Sequence, residues 1–147
     1  MKILIVNGPN LNFLGIREKD IYGSSDYSVL LDKIEKRANE LGIEAEVFQS
    51  NSEGEIIDAL QRAYMEEVDG IIINPAAYTH YSYAIRDALA SLTVPKIEVH
   101  ISNIYRREDF RHTSVTAPVC DGQISGLGFD GYLLAMEAVV NICKKKS

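Results

Sequence analysis

Apolar residues in this chain fall into short runs separated by longer stretches of mixed character. The runs at Lys2–Val6 and Gly70–Ile73 are nearly continuous, as is typical of parallel strands that are buried on both faces. In the run Ile43–Phe48 the apolar positions alternate with Glu44 and Glu46. We therefore predict a strand in each run, with the one at Ile43–Phe48 nearer an edge of the sheet.

The segment Val94–Asn103 has a different pattern, because its aliphatic residues alternate with the polar residues Glu98, His100 and Ser102. This period of two predicts a fourth strand with one polar face. Ligands of open α/β sheets bind beyond the carboxyl ends of the strands, so a polar face that leaves the sheet at such an end is a candidate site. The alternative is an edge strand whose polar face is solvated.

Between the strands the apolar residues follow the helical period. Helices are predicted over Tyr27–Leu41, after a capping box at Ser52–Glu55, around Ala84–Leu92 and over Gly128–Cys143. A fifth strand is predicted over Pro118–Ile124. This alternation of strands and helices is typical of a mostly parallel sheet with helices on both faces.

The length of the chain selects among parallel α/β architectures. Its 147 residues fall far short of the roughly 250 of an eight-stranded barrel. We predict an α/β fold, a flavodoxin-like open five-stranded parallel sheet, in a single catalytic domain over residues 1–147.

Composition excludes some classes of partner. The chain has 15 basic and 21 acidic residues and a net charge of −6, which disfavours nucleic-acid binding. No apolar stretch approaches the roughly 20 residues that cross a bilayer, and the first apolar run is too short for a secretion signal. We expect a cytoplasmic protein without a membrane partner. Cys120, in a strand-like run, and Cys143, on a helix, lack metal-ligand spacing and are expected to be small core residues.

Polar and titratable residues gather after the predicted strands. Asn10 and Asn74 follow the first and third strands, and the connection Leu11–Ser25 is long enough to be a functional lid. The loops add six further candidates: Arg17, Tyr22, His80, Arg106, Arg107 and Arg111. Arginines favour an anionic group such as a carboxylate. A tyrosine and a histidine as proton-transfer groups indicate acid–base chemistry without a metal or a covalent intermediate.

Two further patterns have a structural alternative. Gly126–Gly131 satisfies G-x-G-x-x-G between a predicted strand and a helix, but a dinucleotide site needs this turn in the first βαβ unit. We interpret it as a closely packed turn. The three histidines, His80, His100 and His112, do not have the spacing of metal ligands, so we expect no metal site.

Five motifs occur in order along the chain. They are Asn7–Leu11 with Gly15, Arg17, Tyr22 and Gly23, then Asn74–Pro75 with Thr79–His80, then Glu98–Asn103, then Arg107 with Arg111, and finally Gly126 with Gly131–Tyr132. With them the chain resembles the type II 3-dehydroquinate dehydratases over essentially its whole length. The resemblance implies a flavodoxin-like fold, no metal or organic cofactor, and a homo-oligomer that is often a dodecamer built from trimers.

The resemblance also implies a mechanism for converting 3-dehydroquinate to 3-dehydroshikimate in the shikimate pathway. Tyr22, as a phenolate, would remove a proton next to the ketone, and Arg17 would favour the charged form of Tyr22. A water held by Asn10 would stabilise the resulting enolate. His100 would then protonate the departing hydroxyl as general acid, with Glu98 orienting or charging it.

The remaining implied residues bind the substrate. Asn74 and the backbone of Ile101 and Ser102 would hold its carboxylate, His80 and Arg111 its ring hydroxyls, and Asp87 would reach the site of a neighbouring subunit. Motif spacing favours Arg107 over Arg106 as the arginine that faces the site.

Two other functions remain compatible with the residues. A non-catalytic flavodoxin-like module could bind a flavin or receive a phosphoryl group, although a receiver needs acidic residues after its first strand and Asn7–Asn10 supplies none. A lyase or synthase that acts on another small hydroxylated acid would use the same residue types.

Overall fold

A five-stranded parallel sheet forms the centre of the computed structural model, which describes residues 1–16 and 26–147. The strands are β1 (Lys2–Asn7), β2 (Glu44–Gln49), β3 (Gly70–Asn74), β4 (Lys96–His100) and β5 (Gly122–Ser125). Their order is β2-β1-β3-β4-β5, the flavodoxin-like order, in which the strand order reverses between β1 and β3 while all strands remain parallel. The predicted fold class is confirmed, and β2 lies at an edge as its alternating pattern indicated.

Helices cover both faces of the sheet. They are α1 (Tyr27–Leu41), α2 (Glu53–Met65), α3 (Tyr83–Ala90) and α4 (Asp130–Lys146). Alternate residues of a strand point to opposite faces. Accordingly Ile5 packs in a core cluster with α1 and α4, while Val6 packs in a second cluster with α2 and α3. None of the helices in the described ranges is long and apolar enough to span a membrane.

Side-chain caps begin α1 and α2 where the pattern predicts. The Asp26 carboxylate accepts a hydrogen bond of 3.0 Å from the backbone N–H of Val29 at the start of α1. At α2 the Ser52 hydroxyl accepts from the N–H of Glu55 at 3.2 Å. The Glu55 carboxylate does not return to Ser52 but accepts from the Ser50 hydroxyl, which in turn accepts from the Ser52 N–H at 2.9 Å. Three residues therefore share the capping role that the sequence assigned to two.

The strand with the polar face, β4, lies inside the sheet. It pairs with β3 on one side and β5 on the other, and all its residues are buried. The alternative of a solvated edge strand is therefore wrong. Hydroxyl groups of Ser114 and Thr116 cover the carboxylate of Glu98 on this face.

The fifth strand begins later than the sequence predicted. Pro118 lies in a 3-10 turn, Ala117–Val119, and β5 starts only at Gly122. A proline has no N–H to donate to a parallel ladder, which explains why the chain joins the sheet after it. Cys120 consequently lies in the connection, half-buried, and not in a strand.

Candidate active site

A cavity of about 320 Å³ opens at the carboxyl ends of β1, β3 and β4. Its lining residues are Pro9, Asn10, Leu11, Asn74, Ala76, Ala77, His80, His100, Ile101, Ser102, Ile104, Arg107 and Arg111. The cavity lies at the switch point where the strand order reverses between β1 and β3, the usual ligand position in this architecture. Its volume suits a small molecule.

The turn after β1 is held against the end of β3. A Cβ atom on Gly8 would lie 2.5 Å from the carbonyl oxygen of Pro75, so only glycine fits this approach. The Gly8 N–H donates to the Asn74 carbonyl at 2.8 Å. Asn10 follows with a φ of 69°, which asparagine tolerates, and its N–H donates to Asn51 at 3.0 Å. This geometry places exposed Asn10 at the cavity.

The side chain of Asn74 is oriented by a buried tyrosine. The Tyr132 hydroxyl donates to Oδ1 of Asn7 at 2.7 Å and accepts from Nδ2 of Asn74 at 2.9 Å. Oδ1 of Asn74 accepts from the Ala76 N–H at 3.1 Å. Because a carboxamide nitrogen carries two hydrogens, Asn74 keeps one N–H for a ligand in the cavity.

Glu98 and His100 form a buried titratable pair at the site. Nε2 of His100 lies 2.9 Å from Oε2 of Glu98, and the residues are 6% and 0% exposed. A carboxylate can only accept, so Nε2 carries the hydrogen and donates it. The other ring nitrogen, Nδ1, is left to act on a ligand, since His100 lines the cavity.

Glu98 receives three further hydrogen bonds. Ser114 and Gln123 donate to Oε2 at 2.9 and 2.8 Å, and the Thr116 hydroxyl donates to Oε1. Burial on its own would raise the pKa of Glu98. The hydrogen bond and charge of His100, with the Thr116 and Ser114 hydroxyls, outweigh it and hold the pKa below its usual value.

His80 is held as a hydrogen-bond acceptor toward the cavity. Its Nδ1 lies 2.8 Å from the Thr113 carbonyl oxygen, which can only accept, so Nδ1 carries the hydrogen and Nε2 of the neutral ring has the lone pair. Burial lowers the pKa of His80, helped by the charges of His100 and Arg111 and partly opposed by the bond to Thr113. A neutral His80 suits a ligand hydroxyl.

Two guanidinium groups face the same cavity. Nη1 of Arg107 lies 3.5 Å from the Ser102 hydroxyl oxygen. Arg111 is held by Glu108, with Nε 2.6 Å from Oε2, and its guanidinium carbon lies 4.8 Å from the centre of the Phe110 ring. Arg106 is exposed and does not line the cavity. The lining therefore has a cationic side that suits an anionic ligand.

Ile101 and Ser102 continue β4 into the cavity lining. The Ile101 side chain is 6% exposed and packs in the hydrophobic core, so its main chain is the part turned toward a ligand. The Ser102 carbonyl accepts from the Ser125 hydroxyl at 3.2 Å, which attaches this segment to the end of β5.

The glycine pattern at 126–131 serves packing, as interpreted from the sequence. Gly126 has a φ of +88°, and a Cβ atom there would lie 3.0 Å from Cβ of Asn103. The N–H of Gly126 donates to the His100 carbonyl at 3.2 Å, and that of Gly128 donates to the Ile101 carbonyl at 3.0 Å. This turn thus supports the end of β4 that carries the site.

Arg17, Tyr22 and Asp87 are not placed in this cavity. Arg17 and Tyr22 lie outside the described residues, as does most of the proposed lid Leu11–Ser25, of which Leu11 lines the cavity. Asp87 is exposed on α3 and does not line the cavity of its own chain.

The cysteines take no part in the site. Burial, together with the charge of Glu98, raises the pKa of the Cys120 thiol to about 12, and burial also raises that of Cys143. Thiols with raised pKa values are poor nucleophiles and ligands. In residues 1–16 and 26–147, no group of three or more histidine, cysteine or acidic side chains could hold a metal ion.

Sequence reasoning missed Ser114, Thr116 and Gln123. Nothing in the local pattern distinguishes them, because each reaches Glu98 only through contacts between segments distant in the chain. One signal was available: a carboxylate on an interior strand needs donors, and polar residues on a predicted neighbouring strand, such as Gln123, are candidates.

The arrangement supports a specific kind of chemistry. His100 can release a proton from Nδ1 while Glu98 stabilises the charged ring. The arginines suit a carboxylate, and Asn74 and His80 suit hydroxyl or carboxylate oxygens. The site can therefore bind a small, anionic, hydroxylated molecule and protonate one of its oxygens.

Comparison with known proteins identifies relatives along almost the whole chain. The family model for class II dehydroquinases matches residues 1–140. The chain is 67% identical over 147 residues to a 3-dehydroquinate dehydratase of Lachnospira eligens, covering 99% of this chain and 100% of the relative. It is 60% identical over 146 residues to that of Clostridium perfringens, covering 99% and 100%.

Solved structures give the same result. A type II dehydroquinase from Butyrivibrio crossotus superposes with a TM-score of 0.93 at 61% identity, covering 95% of this chain and 97% of the other. The type II dehydroquinase from Propionibacterium acnes superposes with a TM-score of 0.89 at 43% identity, covering 97% and 96%.

Proposed function

The chain belongs to the class II dehydroquinase family and is an enzyme of the 3-dehydroquinate dehydratase type, and we propose that it removes water from 3-dehydroquinate by anti elimination through an enolate. Tyr22 is the base in this proposal and His100 the general acid. The product is 3-dehydroshikimate, an intermediate of the shikimate pathway.

The buried pair of His100 and Glu98 at the cavity carries this proposal. A hydroxide ion is a poor leaving group, so elimination of water is accelerated when the departing oxygen receives a proton. The carboxylate 2.9 Å from Nε2 stabilises the imidazolium that donates this proton from Nδ1. After the transfer, the neutral ring retains its Nε2–H bond to Glu98.

The other lining groups can orient the substrate for this transfer. Asn74 and the backbone of Ile101 and Ser102 would hold its carboxylate, beside the Arg107 guanidinium. His80 and Arg111 would bind ring hydroxyls. The neutral His80 supports this role, since its Nε2 can accept a hydrogen bond from a hydroxyl.

The first step needs a base, which the proposal assigns to Tyr22. The phenolate takes a proton from the carbon next to the ketone, and the electron pair of that C–H bond moves to give the enolate. Asn10, through a water, and Arg17, through its charge, would stabilise the two anions. When the enolate re-forms the ketone, its electrons make the C=C bond and expel the hydroxyl, which leaves as water with the proton of His100.

An oligomer is part of the proposal. Asp87 is exposed on α3, away from the cavity of its own chain, so a role in substrate binding requires a second copy. Large exposed side chains, Tyr81 and Tyr83, lie close to it in sequence. We propose a cytoplasmic homo-oligomer, a dodecamer built from trimers, which sedimentation velocity would detect by its mass.

An ultraviolet assay tests the function. The product contains a conjugated enone and the substrate does not, so absorbance should rise when 3-dehydroquinate is added. The proposal requires this rise to persist with EDTA and after borohydride treatment, because neither a metal nor a Schiff base takes part. Near-normal turnover by Tyr22→Phe would show that Tyr22 is not the base. A folded wild-type protein that gives no absorbance change would overturn the proposed function.

A further inference from the structure

Glu98 is surrounded by hydrogen-bond donors that belong to distant parts of the chain. Ser114 and Thr116 come from the connection between β4 and β5, and Gln123 is the residue of β5 that pairs with Glu98 across the ladder. We refer to Ser114, Thr116 and Gln123 as the carboxylate cage. With His100 they give Glu98 four donors, about as many as a carboxylate has acceptor sites.

We propose that the carboxylate cage positions the general acid: it holds Glu98 as an anion that accepts the Nε2–H of His100 and thereby turns Nδ1 toward the substrate. This inference rests on the proposed role of His100. The three residues do not line the cavity, so they act through Glu98 and are positioning residues.

The hydrogens in the cage are directed inward. The Ser114 oxygen already accepts from the Ala117 N–H at 2.9 Å, which leaves its single hydrogen for Glu98. Nε2 of Gln123 can only donate. A protonated Glu98 would place its own hydrogen among these donors, so the arrangement fits the ionised carboxylate.

A second layer keeps the cage in place. The Thr79 hydroxyl lies 2.8 Å from the hydroxyls of both Ser114 and Thr116. The Val115 N–H donates to the Thr79 carbonyl at 2.8 Å, and Arg86 donates to the Val115 carbonyl at 2.9 Å. The segment that carries the two hydroxyls is therefore attached to the turn after β3 and to α3.

Other charged groups near the pair do not replace the cage. The titratable groups near Glu98 or His100 are Lys96 on the same face of β4, His80 on the turn 76–80, Cys120 before β5, and Arg107 and Arg111 at the cavity. Asp121 lies next to Cys120, and its carboxylate accepts from the Lys96 N–H. None of them donates a hydrogen bond to Glu98 among the contacts of the described residues. Loss of one cage donor should therefore change the pKa of Glu98 directly.

The experiment compares Thr116→Val and Gln123→Leu with wild type in the full-length protein. Thr116→Ser restores the hydroxyl and should behave as wild type. Thr93→Val is the matched control, because Thr93 is exposed before β4 and outside the cavity. The Glu98 titration is followed by ¹³C NMR of its carboxyl carbon without substrate, and kcat is measured across the same pH range.

Loss of one donor should raise the pKa of Glu98 by about 1–2 units, the equivalent of one hydrogen bond to a charged group. Below that new pKa, kcat should fall, because a neutral Glu98 no longer supports the imidazolium.

Two titration results would overturn the inference: an unchanged Glu98 titration in both variants, or the same shift in Thr116→Ser as in Thr116→Val. A moved titration with an unaltered kcat profile would also do so. In that case an inactive His100→Ala enzyme would still support His100 as the general acid, whereas a fully active one would contradict that proposed role.

Discussion

Nε2 of His100 and Oε2 of Glu98 lie 2.9 Å apart on a buried face of β4. The two residues are neighbours on this face because side chains alternate along a strand. The contact determines which ring nitrogen is protonated, since only Nε2 can donate to the carboxylate. In the proposed mechanism, Nδ1 is therefore the atom that meets the substrate.

Replacing His100 by alanine should lower kcat by about 10²–10⁴-fold, the usual contribution of a general acid. Thermal unfolding and circular dichroism should show that the fold is retained. His112→Ala is the matched control, since His112 is exposed and does not line the cavity. Equal activity of the two variants would contradict the role of His100.

Replacing Glu98 by glutamine should change how stability depends on pH. The pKa of Glu98 in the folded protein lies below its ordinary value of 4.5, so between the two values the unfolded chain binds more protons. The free energy of unfolding should rise with pH across that window and fall as pH drops through the lowered pKa.

Urea unfolding of wild type and Glu98→Gln at several pH values measures this contribution. Exposed acids such as Asp26 and Glu108 also have lowered pKa values, but they are common to both proteins and cancel in the difference. A difference between the two proteins that does not vary with pH below the ordinary value of 4.5 would show that Glu98 is not stabilised as an anion.

Arg107→Ala should raise KM for the substrate by roughly 10–100-fold, the range for one hydrogen bond to a charged group. The neighbouring Arg106 is exposed and does not line the cavity, so Arg106→Ala should leave KM within about twofold. Steady-state kinetics of both variants would decide between them. A larger effect of Arg106→Ala would reverse the assignment that the cavity suggests.

Gly126→Ala should destabilise the protein more than Gly128→Ala. Both glycines have positive φ values, +88° and +62°, which cost a residue with a side chain about 1–2 kcal/mol. Only at Gly126 would the new Cβ meet another group, Asn103 at 3.0 Å. Chemical denaturation should show a further loss of about 1 kcal/mol for Gly126→Ala. Equal losses would show that close packing does not explain this glycine.

Much of the fold could be read from local patterns. Continuous apolar runs, helical periods and caps such as Asp26 and Ser52 each act within a few residues, so they are visible in the sequence. The predicted start of β5 was too early, because Pro118 lies in a turn whose position depends on how the chain passes over β4. The edge-strand alternative for β4 also failed for a non-local reason, namely its pairing with β5.

Part of the candidate site could also be predicted from local patterns. Asn10, Asn74, His80, His100, Arg107 and Arg111 lie at or after strand ends and line one cavity. All parallel strands end at one edge of the sheet, so this convergence was predictable.

The sequence by itself therefore determined the elements, the family and the edge at which the polar residues meet. Tertiary structure decided the register that places Gln123 beside Glu98, the passage of Thr116 across β4, and the contact of Tyr132 with Asn7. These contacts join residues 18 to 125 positions apart. Only packing of the whole chain brings such residues together, because local residue preferences carry no information on register between distant segments.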